Sequence, residues 1–495
     1  MLAIKNITVR YLNNTLFAGL SIKLQKAENW ALLGPSGSGK SAFLQTIAGR
    51  FKITSGTIDY LFCEDFIKTH SIIDPNFTHN KLIAIVEPRH HFKNLSNTSQ
   101  FYYQQRFNSS DSEDALTVEQ YLYSIKSTLS TNIYWTFEKV VDTLKLNELI
   151  DKQIIKLSNG ETKRLMIAAA LLKNPLLLLL DSPMTGLDIK TREEFDTIIQ
   201  KVINSGISVI MATSAHEIPT AITNIAIFEE GKIIEQILKK DFKAELFADK
   251  KEDLIDLTEL KDLLNLHPNN VYDHIVDMKN IHIQYGTKVI LHQINWRILP
   301  GERWALLGPN GAGKSTLLSL INGDNPQAYA NNIVLFDKKR GTGESIWDIK
   351  SKIGFMSPEL HQYFPTDNNC LQVIESGYYD TLGLFRQSSK TKQDIAFRWM
   401  KVLEIEQYAR VLLKNIPASA QRLCLLARAL IKNPDLLIFD EPSQGLDDHQ
   451  QKHFKRIIDA ICRLSNVTLI YVSHYQQEIP ESVTKILNLK PISIN

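Results

Sequence analysis

The chain has 495 residues, which is long enough for two to four domains, and its 44% hydrophobic residues allow each half to bury a full-sized core. The formal net charge of +2 excludes the strongly basic balance that is typical of nucleic-acid-binding proteins. The four cysteines lack Cys-x-x-Cys spacing, so they indicate packing residues in a reduced compartment rather than a disulfide framework.

The N-terminal stretch, residues 1–14, lacks the basic and apolar regions of a secretory signal. No window of about 18 apolar residues occurs, although a membrane-spanning helix needs one of that length. We therefore expect a soluble, cytoplasmic chain that serves a membrane process only through a partner, peripherally on the inner face of the plasma membrane.

Each half of the chain opens with short strands and continues into a glycine-rich loop. Residues 4–9 and 281–283 alternate apolar and polar side chains, which is typical of strands with one buried face. The stretches 29–41 (NWALLGPSGSGKS) and 301–316 (GERWALLGPNGAGKST) then join an apolar run to the Gly-x-x-x-x-Gly-Lys-Ser spacing of a phosphate-binding loop. We predict a buried strand, a loop whose N–H groups point at phosphate, and a helix beginning near the lysine.

The two loops predict two nucleotide sites, because a chance glycine turn does not account for a second copy. Lys40 and Lys314 are placed to reach the β- and γ-phosphates, and the Ser41 and Ser315 hydroxyls to hold Mg²⁺. The expected ATP contacts in the first loop are Gly34, Pro35, Ser36, Gly37, Ser38, Gly39, Lys40 and Ser41. Those in the second loop are Gly308, Pro309, Asn310, Gly311, Ala312, Gly313, Lys314, Ser315 and Thr316.

Further along each half, an apolar strand ends in aspartate, at residues 176–181 and 436–440. Gly-Leu-Asp, a helix and another apolar strand follow, the last at 207–212 and 467–472. Apolar strands that alternate with helices predict an α/β fold, with a mostly parallel sheet flanked by helices in each half. Phosphates are expected at the carboxyl ends of these strands.

Two insertions interrupt the repeat. The equivalent loop lysines, Lys40 and Lys314, lie farther apart in the sequence than the equivalent aspartates, Asp181 and Asp440. This difference predicts an extra polar loop at residues 87–114 of the first half. Between the halves, residues 239–270 mix charge with leucines at roughly helical spacing, which indicates an amphipathic strap that packs on a domain or binds a partner. We predict a first domain at 1–238, a linker or helical strap at 239–272 and a second domain at 273–495.

The remaining motifs resemble the ATP-binding cassette (ABC) ATPase family over nearly the whole chain. Residues 157–161 (LSNGE) resemble its signature motif and residues 437–442 (LIFDEP) its Walker B motif. Residues 186–188 and 445–447 match its D-loop, and His474 matches its switch histidine. The resemblance implies P-loop cassettes that pair head to tail within the chain, so that each ATP lies between the Walker motifs of one and the signature of the other.

Within this family, a tandem chain with Gly-Glu-Arg-Trp-Ala-Leu-Leu before the phosphate loop is similar to the ModF type, also called the photorepair type. That type is linked by name to molybdate transport. The resemblance implies ATP and Mg²⁺ as cofactors and a membrane permease subunit as a partner, and no nucleic-acid site is evident.

The residue chemistry gives the Walker motifs their expected roles. Asp440 closes a buried strand and can hold Mg²⁺ together with Ser315, as can Asp181 with Ser41 in the first half. Glu441 can polarise the attacking water as a general base. The expected catalytic residues are Lys314, Glu441 and His474.

Three further features are expected to contact ATP. Ser158 and Glu161 form the pattern of a capping box that opens a helix over 162–172, and Gly160 lets a phosphate approach. Tyr11 and Tyr285 each precede the loop lysine by the same interval and suit stacking on adenine, with a half-buried strand tyrosine as the competing interpretation.

The two halves are unequal. Ser182 stands where the second half has Glu441, and residues 212–214 (ATS) stand where it has VSH. In the second signature, Pro417 replaces the serine and Ser419 replaces the glycine. Because head-to-tail pairing gathers these losses into one site, we predict one competent ATPase site and one that binds ATP and hardly turns it over.

The glutamine of the family's Q-loop is assigned less directly. Gln104 or Gln105 suits the first half, whereas the second half has Ser357-Pro358-Glu359 at the expected place. Since this loop contacts the membrane subunit in the family, the departure leaves the coupling of the second half open.

Three functions are consistent with these motifs. The first is an ATPase that drives a conformational cycle, as the motor subunit of a transporter or as a soluble regulator. The second is a ribosome-acting translation factor, against which stand the linker that is not rich in arginine, the altered second signature and the near-neutral charge. The third is a nucleotide-gated sensor with little turnover, which has no use for the general base Glu441.

Overall fold

The computed structural model describes two units in the chain, Met1–Gln100 with Ser112–Asp249, and Lys250–Asn495. It describes residues 1–491 except 12–13, 71–76, 89, 91, 93–114, 126, 128–132, 185–188, 244–254, 267–269, 287, 366, 445, 447 and 474–475. The extra polar loop predicted at 87–114 therefore lies almost wholly outside the described residues.

The first unit alternates strands and helices along the chain. Its strands are β1 Leu2–Tyr11, β2 Asn14–Leu24, β3 Trp30–Leu33, β4 Ile53–Asp59, β5 Ile83–Val86, β6 Leu177–Asp181, β7 Ser208–Ala212, β8 Asn224–Glu229 and β9 Lys232–Leu238. Its helices are α1 Lys40–Ile47, α2 Leu61–Thr69, α3 Val118–Tyr123, α4 Phe137–Thr143, α5 Asn159–Leu172 and α6 Ile189–Asn204.

The second unit repeats this alternation after a short helix, α7. Its strands are β10 Val276–Tyr285, β11 Lys288–Ile298, β12 Arg303–Leu307, β13 Asn332–Leu335, β14 Lys338–Lys339, β15 Ile353–Met356, β16 Leu436–Asp440, β17 Thr468–Val472 and β18 Lys485–Asn488. Its helices are α7 Leu257–Leu264, α8 Lys314–Ile321, α9 Ile346–Lys350, α10 Pro358–Tyr363, α11 Cys370–Glu375, α12 Lys390–Val402, α13 Ala418–Leu430 and α14 Asp448–Leu464.

Both units have the same order of parallel strands. The order is β5-β6-β7-β3-β8 in the first unit, where β9 adds an antiparallel edge, and β15-β16-β17-β12-β18 in the second. Each unit also has an antiparallel sheet, β2-β1-β4 in the first and β11-β10-β13-β14 in the second. The strand before the phosphate loop thus lies two places from the Walker B strand, and the carboxyl ends of both meet at one edge of the sheet.

Apolar side chains cover both faces of the parallel sheet, as the continuous apolar runs predict. In β16, Leu436 and Ile438 belong to one core, while Leu437 and Phe439 belong to a second core on the other face. Successive residues of a strand point to opposite faces, so every position of this strand is buried. The predicted α/β fold with a parallel sheet flanked by helices is confirmed.

The leucine-rich segment between the halves contributes α7, which packs on the second unit. Leu260 and Leu263 are fully buried in the core that also contains residues of α12 and α14, and each such side chain stabilises the contact by roughly 1.5–3 kcal/mol. Arg398 donates to both carboxylate oxygens of Glu259, at 2.5 and 3.0 Å. Helix α7 is therefore a strap that packs on a domain, rather than a helix that binds a partner.

Two expectations from composition concern cysteines and membrane segments. Cys63, Cys370, Cys424 and Cys462 are all buried and none is in a disulfide, as expected of packing residues. Among the described helices, none combines the length and apolar composition that crossing a bilayer requires.

Candidate nucleotide-binding sites

In the second unit, the phosphate loop joins β12 to α8 through backbone that only glycine adopts easily. Gly308 has φ 149°, and a Cβ there would lie 2.5 Å from the carbonyl oxygen of Leu489. Gly313 caps α8 in the left-handed conformation and makes no side-chain cap hydrogen bond, so the first helical N–H groups face the loop. This arrangement is an anion site built from backbone.

The lysine of each loop folds back over its own loop. Lys314 Nζ donates to the carbonyl oxygens of Gly308 and Pro309 at 2.7 and 3.1 Å. Lys40 Nζ donates to the two corresponding carbonyls of the first loop at 2.7 and 2.8 Å. The other predicted contacts occupy the same loops, residues 34–39 between β3 and α1 and residues 308–313 between β12 and α8.

The Walker B strand of the second unit brings its aspartate to this loop. Ser315 Oγ donates to Asp440 Oδ2 at 3.3 Å. Burial raises the pKa of Asp440 well above its usual range, and the negative charges of Glu359 and Glu441 add to the rise, while the Lys314 ammonium opposes it. Hydroxyl and carboxylate oxygens are the donors that Mg²⁺ prefers, so Ser315 and Asp440 fit the predicted metal role.

The first unit repeats the pairing of serine and aspartate with different neighbours. Burial raises the pKa of Asp181, and a hydrogen bond with Ser41 opposes that rise, as do the ammonium groups of Lys163 and Lys40. The oxygen donors that would hold Mg²⁺ are therefore also together here.

The residue after each of these aspartates has the same unusual backbone. Ser182 has φ 48° and Glu441 has φ 45°, and each N–H donates at 3.0 Å to a carbonyl of the next strand, that of Ala212 or Val472. Left-handed backbone is uncommon for residues other than glycine and clusters at functional sites. The carboxylate of Glu441 also accepts from Gln444 Nε2 at 3.2 Å.

The first signature has the predicted capping box. Glu161 N–H donates to Ser158 Oγ at 3.3 Å, and Ser158 N–H donates to Glu161 Oε2 at 2.8 Å. Although burial opposes it, the Lys152 ammonium, 2.6 Å away, holds the pKa of Glu161 below its usual value. The predicted start of the helix at residue 162 is wrong, because α5 begins at Asn159 and includes Gly160 in its first turn.

The second signature begins α13 without such a cap. Pro417 is the N-cap residue and makes no side-chain cap hydrogen bond. Ser419 lies in the first turn, where the first unit has glycine. Near the start of this helix, Gln421 Nε2 donates to the carbonyl oxygen of Ile416 at 3.0 Å. The two signature helices thus differ in both the hydroxyl and the glycine.

The two tyrosines lie at the ends of β1 and β10, with partly exposed rings. Tyr11 is 47% exposed and packs edge to face on Phe51, with ring centroids 5.3 Å apart. Tyr285 is 39% exposed, and its hydroxyl accepts from Asn325 Nδ2 at 3.0 Å. Stacking on adenine remains a prediction for both rings.

Several predicted residues lie outside the described part of the chain. They are the switch histidine His474, the Q-loop candidates Gln104 and Gln105, the first D-loop at 186–188, and residues 445 and 447 of the second D-loop.

Two charged residues act on the Walker B aspartates in roles that are not predicted from the sequence, which does not single out Lys163 and places Glu359 only at the Q-loop position. Lys163 is buried in α5 and faces Asp181, and the charge of Glu359, in α10, acts on Asp440. A signal for Glu359 is its place just after a parallel strand that neighbours β16. Lys163 carries no comparable signal, because it lies within the polar stretch of residues 161–164 at the start of a helix.

Comparisons with known proteins agree with this architecture. The family model described as "ABC transporter" matches residues 17–185 and 291–444. The ABC transporter ATP-binding protein ModF of Escherichia coli is 29% identical over 481 residues, 95% of this chain and 93% of that protein. An uncharacterized ABC transporter ATP-binding protein of Schizosaccharomyces pombe is 30% identical over 475 residues, 95% of this chain and 94% of that one.

Solved structures show the same fold. The chain in a model of ribosome-bound archaeal Pelota and ABCE1 has a TM-score of 0.58 at 19% identity and covers 95% of this chain and 73% of its own. A structure titled RNase-L Inhibitor has a TM-score of 0.52 at 18% identity, over 99% and 91%. The chain therefore belongs to the ABC transporter family, as a tandem-cassette ATPase that binds and hydrolyses ATP.

Proposed function

We propose that ATP is hydrolysed with the Walker motifs of the second unit, while the first unit binds ATP and hardly turns it over. The observation that carries this proposal is the pair of residues with left-handed backbone after the Walker B aspartates, Glu441 and Ser182. A carboxylate there can accept a proton from the attacking water, whereas a serine hydroxyl is too weak a base.

The signature motifs support the same division. In this family, each ATP lies between the Walker motifs of one cassette and the signature of the other. The intact first signature, with its capping box at Ser158 and the glycine Gly160, would then serve the ATP held by Lys314. The second signature, with Pro417 and Ser419, would face the ATP held by Lys40. One complete site and one incomplete site follow from this pairing.

At the complete site, the chain's own groups bind, orient and take up a proton. Lys314 and the N–H groups at the start of α8 hold the β- and γ-phosphates. Ser315 and Asp440 would hold Mg²⁺, which when bound neutralises charge on the phosphate oxygens. Glu441 orients the attacking water and accepts its proton. His474 is proposed to contact the γ-phosphate.

Measurement of ATP hydrolysis by two lysine variants of the full chain tests the proposed division of roles between the two units. Lys314→Ala should reduce steady-state hydrolysis to background, because it empties the complete site. Lys40→Ala should keep most of the rate and lower the stabilisation of the fold by ATP. Equal losses in the two variants would contradict the proposal.

We further propose that the ATPase cycle drives a membrane permease subunit from the cytoplasmic side, with molybdate as the first solute to test. The similarity to the ATP-binding protein ModF over nearly the full length supports a transporter partner. The likeness to ribosome-associated ABCE1 concerns the fold alone, and the net charge of +2 does not favour a ribosome. Cross-linking of Glu441→Gln with ATP in cells should capture a membrane protein, and capture of ribosomal proteins instead would contradict this proposal.

A further inference from the structure

Two histidine rings meet on the exposed face of the antiparallel sheet in the second unit. His282, in β10, and His292, in β11, place their Nδ1 atoms 3.1 Å apart, with ring centroids 5.4 Å apart and ring planes at 83°. Both residues are exposed to solvent. Two imidazole nitrogens at this distance can share a proton, or they can ligate one metal ion when both present a lone pair.

A β-bulge lies at this pair of rings. The register between β10 and β11 shifts here, so that His282 alone lies opposite both His292 and Gln293. Gln293 has φ 54°, a left-handed backbone that is uncommon for a residue other than glycine. Such a bulge accommodates the extra residue and re-aims the side chain beside it, which is why bulges recur next to binding sites.

The backbone of His282 is also fixed on its other edge, by Asn331. His282 N–H donates to Asn331 Oδ1 at 2.8 Å, and Asn331 Nδ2 donates to the carbonyl oxygen of His282 at 3.1 Å. The same amide group donates to the carbonyl oxygen of Gln327 at 2.9 Å. The strand that carries one ring is thus held from both sides, so little further order is needed for the two rings to bind one ion.

The first unit has the same bulge without the rings. The register of β1 and β2 shifts at the equivalent place, and Gly19, with φ 74°, stands where the second unit has Gln293. Thr8 and Ala18 take the places of the two histidines. The bulge is therefore common to the two units, whereas a pair of imidazole ligands at the bulge belongs to the second unit.

The separation of the two nitrogens fits a shared metal ion. Zn–N bonds are about 2.0–2.1 Å long, so two nitrogens on one ion lie about 2.9 Å apart at a right angle and about 3.3 Å apart at the tetrahedral angle. The observed 3.1 Å lies between these values. Rotation about χ2, a soft torsion in histidine, would aim both lone pairs at one point. Imidazole suits Zn²⁺ and Cu²⁺, whereas Mg²⁺ prefers oxygen ligands.

We propose that His282 and His292 form a surface site for one divalent transition-metal ion of the kind that imidazole ligates, Zn²⁺ or Cu²⁺. Each ring contributes a neutral Nδ1, and the bound ion links β10 to β11. Because the described residues contain no cluster of three or more potential ligand side chains, water occupies the remaining positions. The site does not depend on the proposed function, since neither histidine belongs to a phosphate loop or a Walker motif.

Zn²⁺ titration of the nucleotide-free full chain by calorimetry, in excess Mg²⁺, tests the pair. His282→Asn and His292→Asn should each weaken the same Zn²⁺ site by roughly 10²- to 10⁴-fold, because two linked ligands bind more tightly than one by that factor. The double variant should lose no further site, since removal of either ring already breaks the chelate. Retention of the site in either single variant would overturn the proposal.

The matched control is His274→Asn, the same change at a histidine just before β10 whose Nδ1 lies 3.7 Å from Asp337 Oδ1. This variant should keep the Zn²⁺ site, and Zn²⁺ should raise its midpoint of thermal unfolding as it does that of the unmodified chain. The midpoints of His282→Asn and His292→Asn should not respond to Zn²⁺. An equal loss of the site in His274→Asn would mean that Zn²⁺ binds histidines indiscriminately, which contradicts the proposal.

Electron paramagnetic resonance of one equivalent of Cu²⁺ identifies the ligands directly. The spectrum of the unmodified chain should show coupling to two imidazole nitrogens, and that of either single variant should show fewer. Coupling to one such nitrogen or none in the unmodified chain would mean that the rings form only a hydrogen-bonded pair, which overturns the proposal. If a variant fails to fold, this spectrum of the unmodified chain decides by itself.

Discussion

Both units end the Walker B strand in a buried aspartate and continue with a residue whose φ is 48° at Ser182 and 45° at Glu441. In both, that residue's N–H is bonded to the strand beside it. The backbone that positions a general base is therefore kept in the first unit, and only the side chain that would act as the base differs. On the proposed function, the comparison teaches that the fold of a cassette and its catalytic competence depend on separate residues.

The signature helices differ in a second way. In α5 the Ser158 hydroxyl and the Glu161 carboxylate satisfy backbone N–H groups at the helix start, whereas α13 starts at Pro417 with no side-chain cap. Both helices nevertheless pack through apolar side chains on their sheets. Helix α13 thus forms without a side-chain cap, while α5 also keeps groups that suit a phosphate.

The largest effect is expected from the residue after the Walker B aspartate. Glu441→Gln keeps the size of the side chain and removes the base, so hydrolysis should fall by roughly 10²- to 10⁴-fold while ATP binding persists. Ser182→Ala is the matched change in the first unit and should alter the rate little. Steady-state phosphate release measures the rate of each variant. Similar losses in Glu441→Gln and Ser182→Ala would contradict the proposed difference between the two sites.

The second effect concerns the signature in trans. Ser158→Arg places a bulky cation at the N-terminus of α5 and should abolish hydrolysis, although Lys314 and Glu441 are unchanged. Pro417→Arg makes the corresponding change at the start of α13 and should leave most of the rate. ATP binding, followed by fluorescence of a labelled analogue, should persist in both variants. A fully active Ser158→Arg chain would refute the composite site.

A third difference between the units concerns a pair of equivalent lysines. The side chain of Lys432 is 8% exposed and is bonded to the Lys350 carbonyl and to Asp380, whereas Lys173 is exposed. Burial lowers the pKa of Lys432 to about 8, although Asp380 opposes the shift. Between pH 8 and the usual lysine pKa, the unfolded chain binds more protons than the folded one, so this group makes the free energy of unfolding rise with pH.

Urea unfolding at pH 8 and pH 10 measures that rise. The stability of the unmodified chain relative to Lys432→Met should increase by about 1–2 kcal/mol over this interval. Its stability relative to Lys173→Met should stay constant. A constant difference for both variants would mean that Lys432 titrates normally in the folded protein.

The smallest effect is expected from the helix caps. Ser158→Ala removes a side-chain acceptor at the start of α5 and should lower the free energy of unfolding by about 1 kcal/mol. Pro417→Ala removes no such hydrogen bond and should change stability less. Thermal unfolding of the two variants without nucleotide makes the comparison, and a larger loss in Pro417→Ala would contradict it.

The sequence predicts the apolar strands of the site to within one residue, as β6 at Leu177–Asp181 and β16 at Leu436–Asp440 demonstrate. A continuous apolar run between a turn and an aspartate fits a buried parallel strand and little else. The start of α5 was placed three residues late, because in a capping box the serine is the N-cap and the helix begins directly after it.

The charges around the aspartates could not be predicted in the same way. Lys163 lies near Asp181 because α5 brings it to the end of β5, and Glu359 lies near Asp440 because β15 is the neighbour of β16. Both contacts depend on an order of strands that does not follow the chain. Local patterns of residues carry no information on that order.

The central claim is that one site turns ATP over while the other holds it. The most direct test loads the unmodified full chain with radiolabelled ATP and Mg²⁺, allows many turnovers, and identifies the nucleotide that stays bound after gel filtration. We predict one intact ATP per chain, which disappears in Lys40→Ala and persists in Lys314→Ala. Bound nucleotide that is entirely ADP, or intact ATP that is unaffected by Lys40→Ala, would contradict the account.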